Sequence, residues 1–246
     1  MKKYRHRTYR NLVKSNRLAF FRVAVKETDL AVYADRDLGE IARESVLRHR
    51  GYLEAYIERR PDFATTLSPW PSEGPAASIV RDMVAAGRAA GVGPMAAVAG
   101  AVAEHVGRDL LEHSSQVVVE NGGDVFLKTD RSSTVAIFAG RSPLSLELGL
   151  KVEGGQSPMA VCTSSGTVGH SKSLGKADAV VVVSRSCALA DAAATAIGNL
   201  VSGPGDIQRG VEAAKRIEGV LGIVAIVGDR IGAWGEVELT SLREKG

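Results

Sequence analysis

Asp191 and Thr195 stand one helical turn apart in the run ALADAAATAIGNL. On a helix this spacing puts a carboxylate and a hydroxyl on the same face. Oxygen-only donors of this kind suit Mg²⁺, which keeps waters and takes substrate phosphate oxygens as further ligands. The same residue types also have a plainer use, since a first-turn Asp compensates the helix dipole and a helical Thr bonds back to the preceding turn. A second polar group, Thr163-Ser164-Ser165-Gly166, ends an apolar run that includes Cys162, and Gly169-His170-Ser171 follows. Its hydroxyls and N–H groups form a donor-rich loop able to receive a phosphate or carbonyl. His170 there serves either as a general acid/base or as a hydrogen-bond partner within the loop. A third break, Asn121-Gly122-Gly123-Asp124, interrupts the apolar stretch QVVVENGGDVFLK. Paired glycines inside a strand pattern mark a bulge, a hairpin turn or a close approach of a ligand to the main chain.

The composition narrows the function classes. The chain has 246 residues, 45% hydrophobic and 24% charged, which is enough for a full core. A net charge of +3 and 5% aromatic content argue against nucleic acid as a partner. The clustered cations lie at residues 1–16, which read as a basic N-terminal arm ahead of a single domain at 17–246. No window reaches the roughly 18 apolar residues a membrane span needs, and the N-terminus has no apolar signal core. The expected location is the cytoplasm. Cys162 and Cys187 both adjoin apolar runs and read as small buried hydrophobes.

The elements that must position these groups follow from hydrophobic period. Residues 18–25 and 30–33 alternate as a hairpin, and 39–60 switches to helical spacing. Ala-rich helices are expected at 76–90 and 95–111, separated by Gly91-Val92-Gly93-Pro94. A helix start after such a turn leaves free N–H groups, a natural place for phosphate. Strands follow at 117–128, 134–139, 145–152, 158–162 and 178–184, then helices at 188–200 and 207–218, and strands at 222–227 and 231–239. The order reads as a doubled ββααββ pattern with halves of about 17–140 and 141–246. An α+β fold is predicted, an antiparallel sheet with helices on one face. Its exposed sheet edges suggest a homo-oligomer.

The motifs at residues 90–200 resemble the ApbE-like superfamily, whose best-known members are Mg²⁺-dependent flavin transferases with a T-fold. Val92-Gly-Pro-Met-Ala-Ala-Val-Ala-Gly100 and Thr163-Ser-Ser-Gly-Thr-Val-Gly-His170 are similar to a small cytoplasmic branch of it without an assigned activity. The resemblance implies metal binding by Asp191 and Thr195. It also implies FAD or FMN contact by Asn121, Gly122, Gly123, Asp124, Thr163, Ser164 and Gly166. Gly93, at the turn before the second Ala-rich helix, and Ser165, in the donor-rich loop, are read as further ligand contacts, with Asp191 and His170 as the catalytic candidates. The partner implied is a small nucleotide or flavin. Two motif elements of the transferases are missing. The helix start at Gly93-Pro-Met-Ala-Ala97 carries no lysine, and His170-Ser-Lys-Ser-Leu-Gly175 lacks their Asp-Pro.

Overall fold

A computed structural model describes residues 18–71, 74–166 and 175–242. The basic arm and His170 lie outside the described residues. Strands β1 (Ala19–Val25) and β2 (Thr28–Ala34) form the expected hairpin. Helices α1 (Gly39–Arg59), α2 (Ser78–Ala90) and α3 (Val98–Leu110) follow. Between α2 and α3 the chain turns through Gly91, which is left-handed at φ 73°, and a short 3₁₀ turn at Pro94–Ala97. The two helical segments meet at 106°, so the Ala-rich stretch is a corner rather than one long rod. No single described helix is long and apolar enough to cross a membrane.

Then come β3 (Val117–Asn121), β4 (Asp124–Lys128), β5 (Ser133–Ala136), β6 (Leu148–Val152), β7 (Met159–Ser164) and β8 (Ala179–Ser184). Helices α4 (Cys187–Leu200) and α5 (Ile207–Ala214) precede β9 (Val220–Val227), β10 (Arg230–Gly235) and β11 (Glu238–Ser241). Eight strands form one antiparallel sheet in the order β1-β2-β3-β4-β7-β8-β9-β10. Two four-stranded blocks, each with its helices inserted between its second and third strands, thus meet along the β4–β7 seam.

The predicted α+β class and the helical face are present, and the sheet's other face has a cover of its own. A small sheet, β11-β6-β5, packs there. Strand alternation explains both cores. Val117, Val119, Val180 and Val182 face the helices, whereas Val118, Val181 and Val183 face Ile137, Leu150 and Val152 of the small-sheet side. Four consecutive valines are therefore tolerated in β8 because both of its faces are dry.

The expected final strand at 231–239 is corrected: it is two strands in two sheets. Gly235 adopts φ 85° against the Leu221 carbonyl, which ends β10 and sends β11 to pair with β6. The Gly-Gly break is likewise settled as a hairpin. Asn121 pairs with Asp124, and Gly122 and Gly123 both have positive φ, as a primed two-residue turn requires.

Candidate functional site

The register of the seam decides which polar groups meet. Val125 faces Val161 and Phe126 faces Ala160, so the same register carries Asp124 to a place opposite Cys162. The space beside Gly123 opens onto the Thr163 carbonyl. Asp124, at the first position of β4, is 6% exposed and accepts a hydrogen bond from the Thr163 N–H, with the Cys162 thiol beside it. Asn121 donates through Nδ2 to the Ala99 carbonyl at 3.0 Å, tying the hairpin to the start of α3. Glu120 points to the other face and accepts from the Gly123 N–H at 2.9 Å.

Above this seam α3 crosses α4 closely. A Cβ on Gly100 would collide with the Cys187 carbonyl and the Asp191 side chain, so only glycine permits the approach. The crossing is pinned by exchanged carboxylates. Asp191 of α4 accepts from the Gly100 N–H at 2.9 Å and from the Ala99 N–H, at the open end of α3. Glu104 of α3 accepts from the Cys187 N–H at 2.7 Å, the Ala188 N–H at 3.3 Å and the Ser186 hydroxyl at 3.2 Å, at the open end of α4. Each helix thus caps the other with a negative charge at its positive end. The N–H groups that a phosphate would use at the start of α3 are consequently already bonded to Asp191.

The electrostatics set this cluster apart. Burial pushes Asp191 up to about 7, against the two α3 N–H bonds that favour its charge. Asp124 is raised well above the carboxylate range, by burial and then by the charge of Asp191. Asp124 is buried and Asp191 half-buried, and two carboxyls this near each other resist ionising together, so the pair binds protons more tightly than separate carboxylates would. Among the described residues, two buried polar atoms in this region have no partner: Asp124 Oδ1 and Ser164 Oγ. Strand alternation puts Asp124, Cys162 and Ser164 on the same, helix-facing side of the sheet. Orphaned buried groups are costly, and clustered ones in a folded protein call for a ligand, an ion or a water.

A family model described as "AbpE bacteria" matches residues 10–229. The chain belongs to this family. A UPF0280 protein from Methanococcus aeolicus is 39% identical over 222 residues, covering 88% of this chain and 90% of the relative. One from Methanosarcina acetivorans is 42% identical over 216 residues, covering 87% and 85%. Among solved structures, the flavinyl transferase ApbE of Pseudomonas stutzeri in its apo form matches at TM-score 0.59 and 17% identity, covering 89% of this chain and 94% of that one. The flavin transferase ApbE of Vibrio cholerae matches at 0.57 and 13%, covering 89% and 96%. At such identities the likeness shows the ApbE fold.

Within this family fold the sequence-predicted residues divide. Asn121, Gly122, Gly123, Asp124, Thr163, Ser164 and Asp191 come together at the seam and the α3–α4 crossing. Thr195 lies one turn beyond Asp191 on α4, half-buried. Gly93 packs against the Thr66 and Leu67 backbone, and the Gly166 N–H bonds the Ala177 carbonyl at 3.0 Å. Both glycines are accounted for by these backbone contacts. Ser165 follows β7 between Ser164 and Gly166, and His170 lies outside the described residues.

Glu104 and the two cysteines went unread as site residues. Glu104 sits in a helix whose other buried residues are mostly apolar or glycine. A lone acidic residue on such a face is the signal that would have found it.

Proposed function

We propose that this chain is an enzyme that binds a flavin or a related phosphate-bearing nucleotide at the β4–β7 seam, with Mg²⁺ assistance. One observation carries the reading. Among the described residues, Asp124 Oδ1 and Ser164 Oγ are buried without partners beside a carboxyl pair whose proton affinity is raised. Such groups are satisfied by a ligand that brings donors, a cation, or both.

The donor set fits Mg²⁺. Asp191, Thr195 and Asp124 offer oxygens only, and among the described residues no three His, Cys, Asp or Glu side chains gather around one ion position. A cation there would need water and ligand oxygens to complete its shell, which is the habit of Mg²⁺. When bound, it would supply positive charge to a phosphate oxygen. Asp191 would hold it while its α3 N–H bonds keep the carboxylate oriented, and Asp124 would exchange its proton for the cation's charge or donate it to the ligand. On sequence grounds His170 is the group to move a proton.

The missing lysine and Asp-Pro favour a second reading, a protein that binds the flavin without transferring any part of it. The reading also carries self-association, because β1 and β10 each pair on one side only among the described residues. Equilibrium dialysis of the purified chain against FAD and FMN, with and without Mg²⁺, tests the proposal. Retention of either compound, strengthened by Mg²⁺, is expected, and no retention in any condition overturns it. Recovery of intact FAD after long incubation selects the second reading.

A further inference from the structure

Cys162 and Cys187 are the only cysteines in the chain. The fold brings their sulfurs to 3.4 Å, with the Cys162 sulfur also 3.4 Å from the Cys187 carbonyl. Neither is bridged, and both are fully buried. They join two elements of the site: Cys162 is the β7 residue opposite Asp124, and Cys187 opens α4 one turn before Asp191. A thiol is a soft packing group that alanine or valine replaces readily in a core. Here two of them meet across a junction whose other polar members all have assigned bonding or an unmet one.

We propose that Cys162 and Cys187 form a reversible disulfide across the β7–α4 junction, so that the carboxyl pair above them exists over a dithiol and over a disulfide floor. The oxidant is a low-molecular-weight disulfide, RSSR. One cysteine thiolate attacks a sulfur of RSSR, forming a mixed disulfide and releasing RS⁻, which takes the proton that cysteine gave up. The second cysteine, losing its proton in turn, attacks the protein sulfur of the mixed disulfide and expels the second RSH. Two electrons pass from the dithiol to RSSR, and both cysteine protons end on the two RSH products.

Burial makes the reaction slow and dependent on local opening. Its consequence for the site is chemical. The Cys162 thiol beside Asp124 is consumed, so the carboxyl loses a neighbour that favours its charged form.

The proposal is independent of whether a flavin binds, since it needs only the two thiols and an oxidant. The full chain is equilibrated in mixtures of reduced and oxidised glutathione at pH 7 and pH 9. Samples are quenched in acid, denatured, alkylated with N-ethylmaleimide and weighed intact. The reduced chain is expected to carry two maleimides. The oxidised chain is expected to carry none, to be two hydrogens lighter, to yield a cross-linked peptide from a single chain, and to revert with dithiothreitol. Cys162→Ser and Cys187→Ser should each stop at a glutathione adduct or one maleimide, without the internal cross-link. Two alkylatable thiols at every ratio, even after prolonged exposure at pH 9, would overturn the proposal. So would cross-links found only between chains. A ¹³C carboxyl resonance of Asp124 that is the same in both states would overturn the link to the site.

Discussion

Two carboxylate clusters, one on the outer side of the helices and one where they meet the sheet, treat their charge in opposite ways. On the outer side, Asp109 of α3 accepts from the Ser45 hydroxyl, from Arg48 at 2.6 Å and bonds His49 Nε2 at 2.8 Å. Beside it His105 is paired with Asp82, and the two imidazoles lie 4.9 Å apart. Burial alone would raise Asp109. The hydrogen bonds from His49, Ser45 and Arg48 overcome it and hold the carboxyl well below its usual range. At the seam, Asp124 and Asp191 are raised instead, and one Asp124 oxygen has no partner among the described residues. The same residue type is structural where its charge is met within the chain and available where it is not.

The comparison can be broken by mutation. Asp109→Ala should cost about 2–4 kcal/mol in urea unfolding, because it strands buried His49 and Ser45. Asp124→Asn should cost no more than about 1 kcal/mol at pH 8, since it removes a charge the fold resists. A reversed order would erase the distinction between the clusters. Binding should rank the other way. Asp124→Asn is expected to lose about tenfold or more in Mg²⁺-dependent FAD affinity, worth roughly 1.4 kcal/mol, and Asp109→Asn to lose none, both read by dialysis.

pH sharpens it further. A carboxyl raised from 3.8 to about 7 binds its proton more tightly in the folded chain. Its contribution is therefore full below the unfolded value and lost as pH rises through about 7. Asp109 has the opposite sign: its contribution is present above 3.8 and fades as the solution becomes more acidic. Urea midpoints from pH 4 to 8 should decline less in Asp191→Asn than in the wild type. Glu104→Gln should cost about 1 kcal/mol in the same assay, because a neutral amide oxygen replaces a charged acceptor at the start of α4.

Much of the fold was legible because hydrophobic period is a local property. The β1–β2 hairpin, α1, and the four valines of β8 are read directly from side-chain alternation and spacing. The split of the last strand was not, because what ends β10 is the distant Leu221 carbonyl against Gly235. The site follows the same division. Asp124 and Asp191 announce themselves beside glycines and alanines. Their meeting depends on the β4–β7 register, and Glu104, 83 residues before Cys187, is a partner no local pattern reveals. The helix expected from Met95 begins at Val98 after a 3₁₀ turn, and Asp191 of the distant α4 bonds the Gly100 N–H at its start, a pairing no local pattern reveals.

The most direct measurement is a ¹³C NMR titration of the Asp191 and Asp124 carboxyls, repeated with Mg²⁺ and FAD. Asp191 should titrate near 7 in the free chain, and both carboxyls should shift to their ionised positions on adding the pair. Titration of both near the ordinary carboxylate value, with no response to Mg²⁺ and FAD together, would contradict the account.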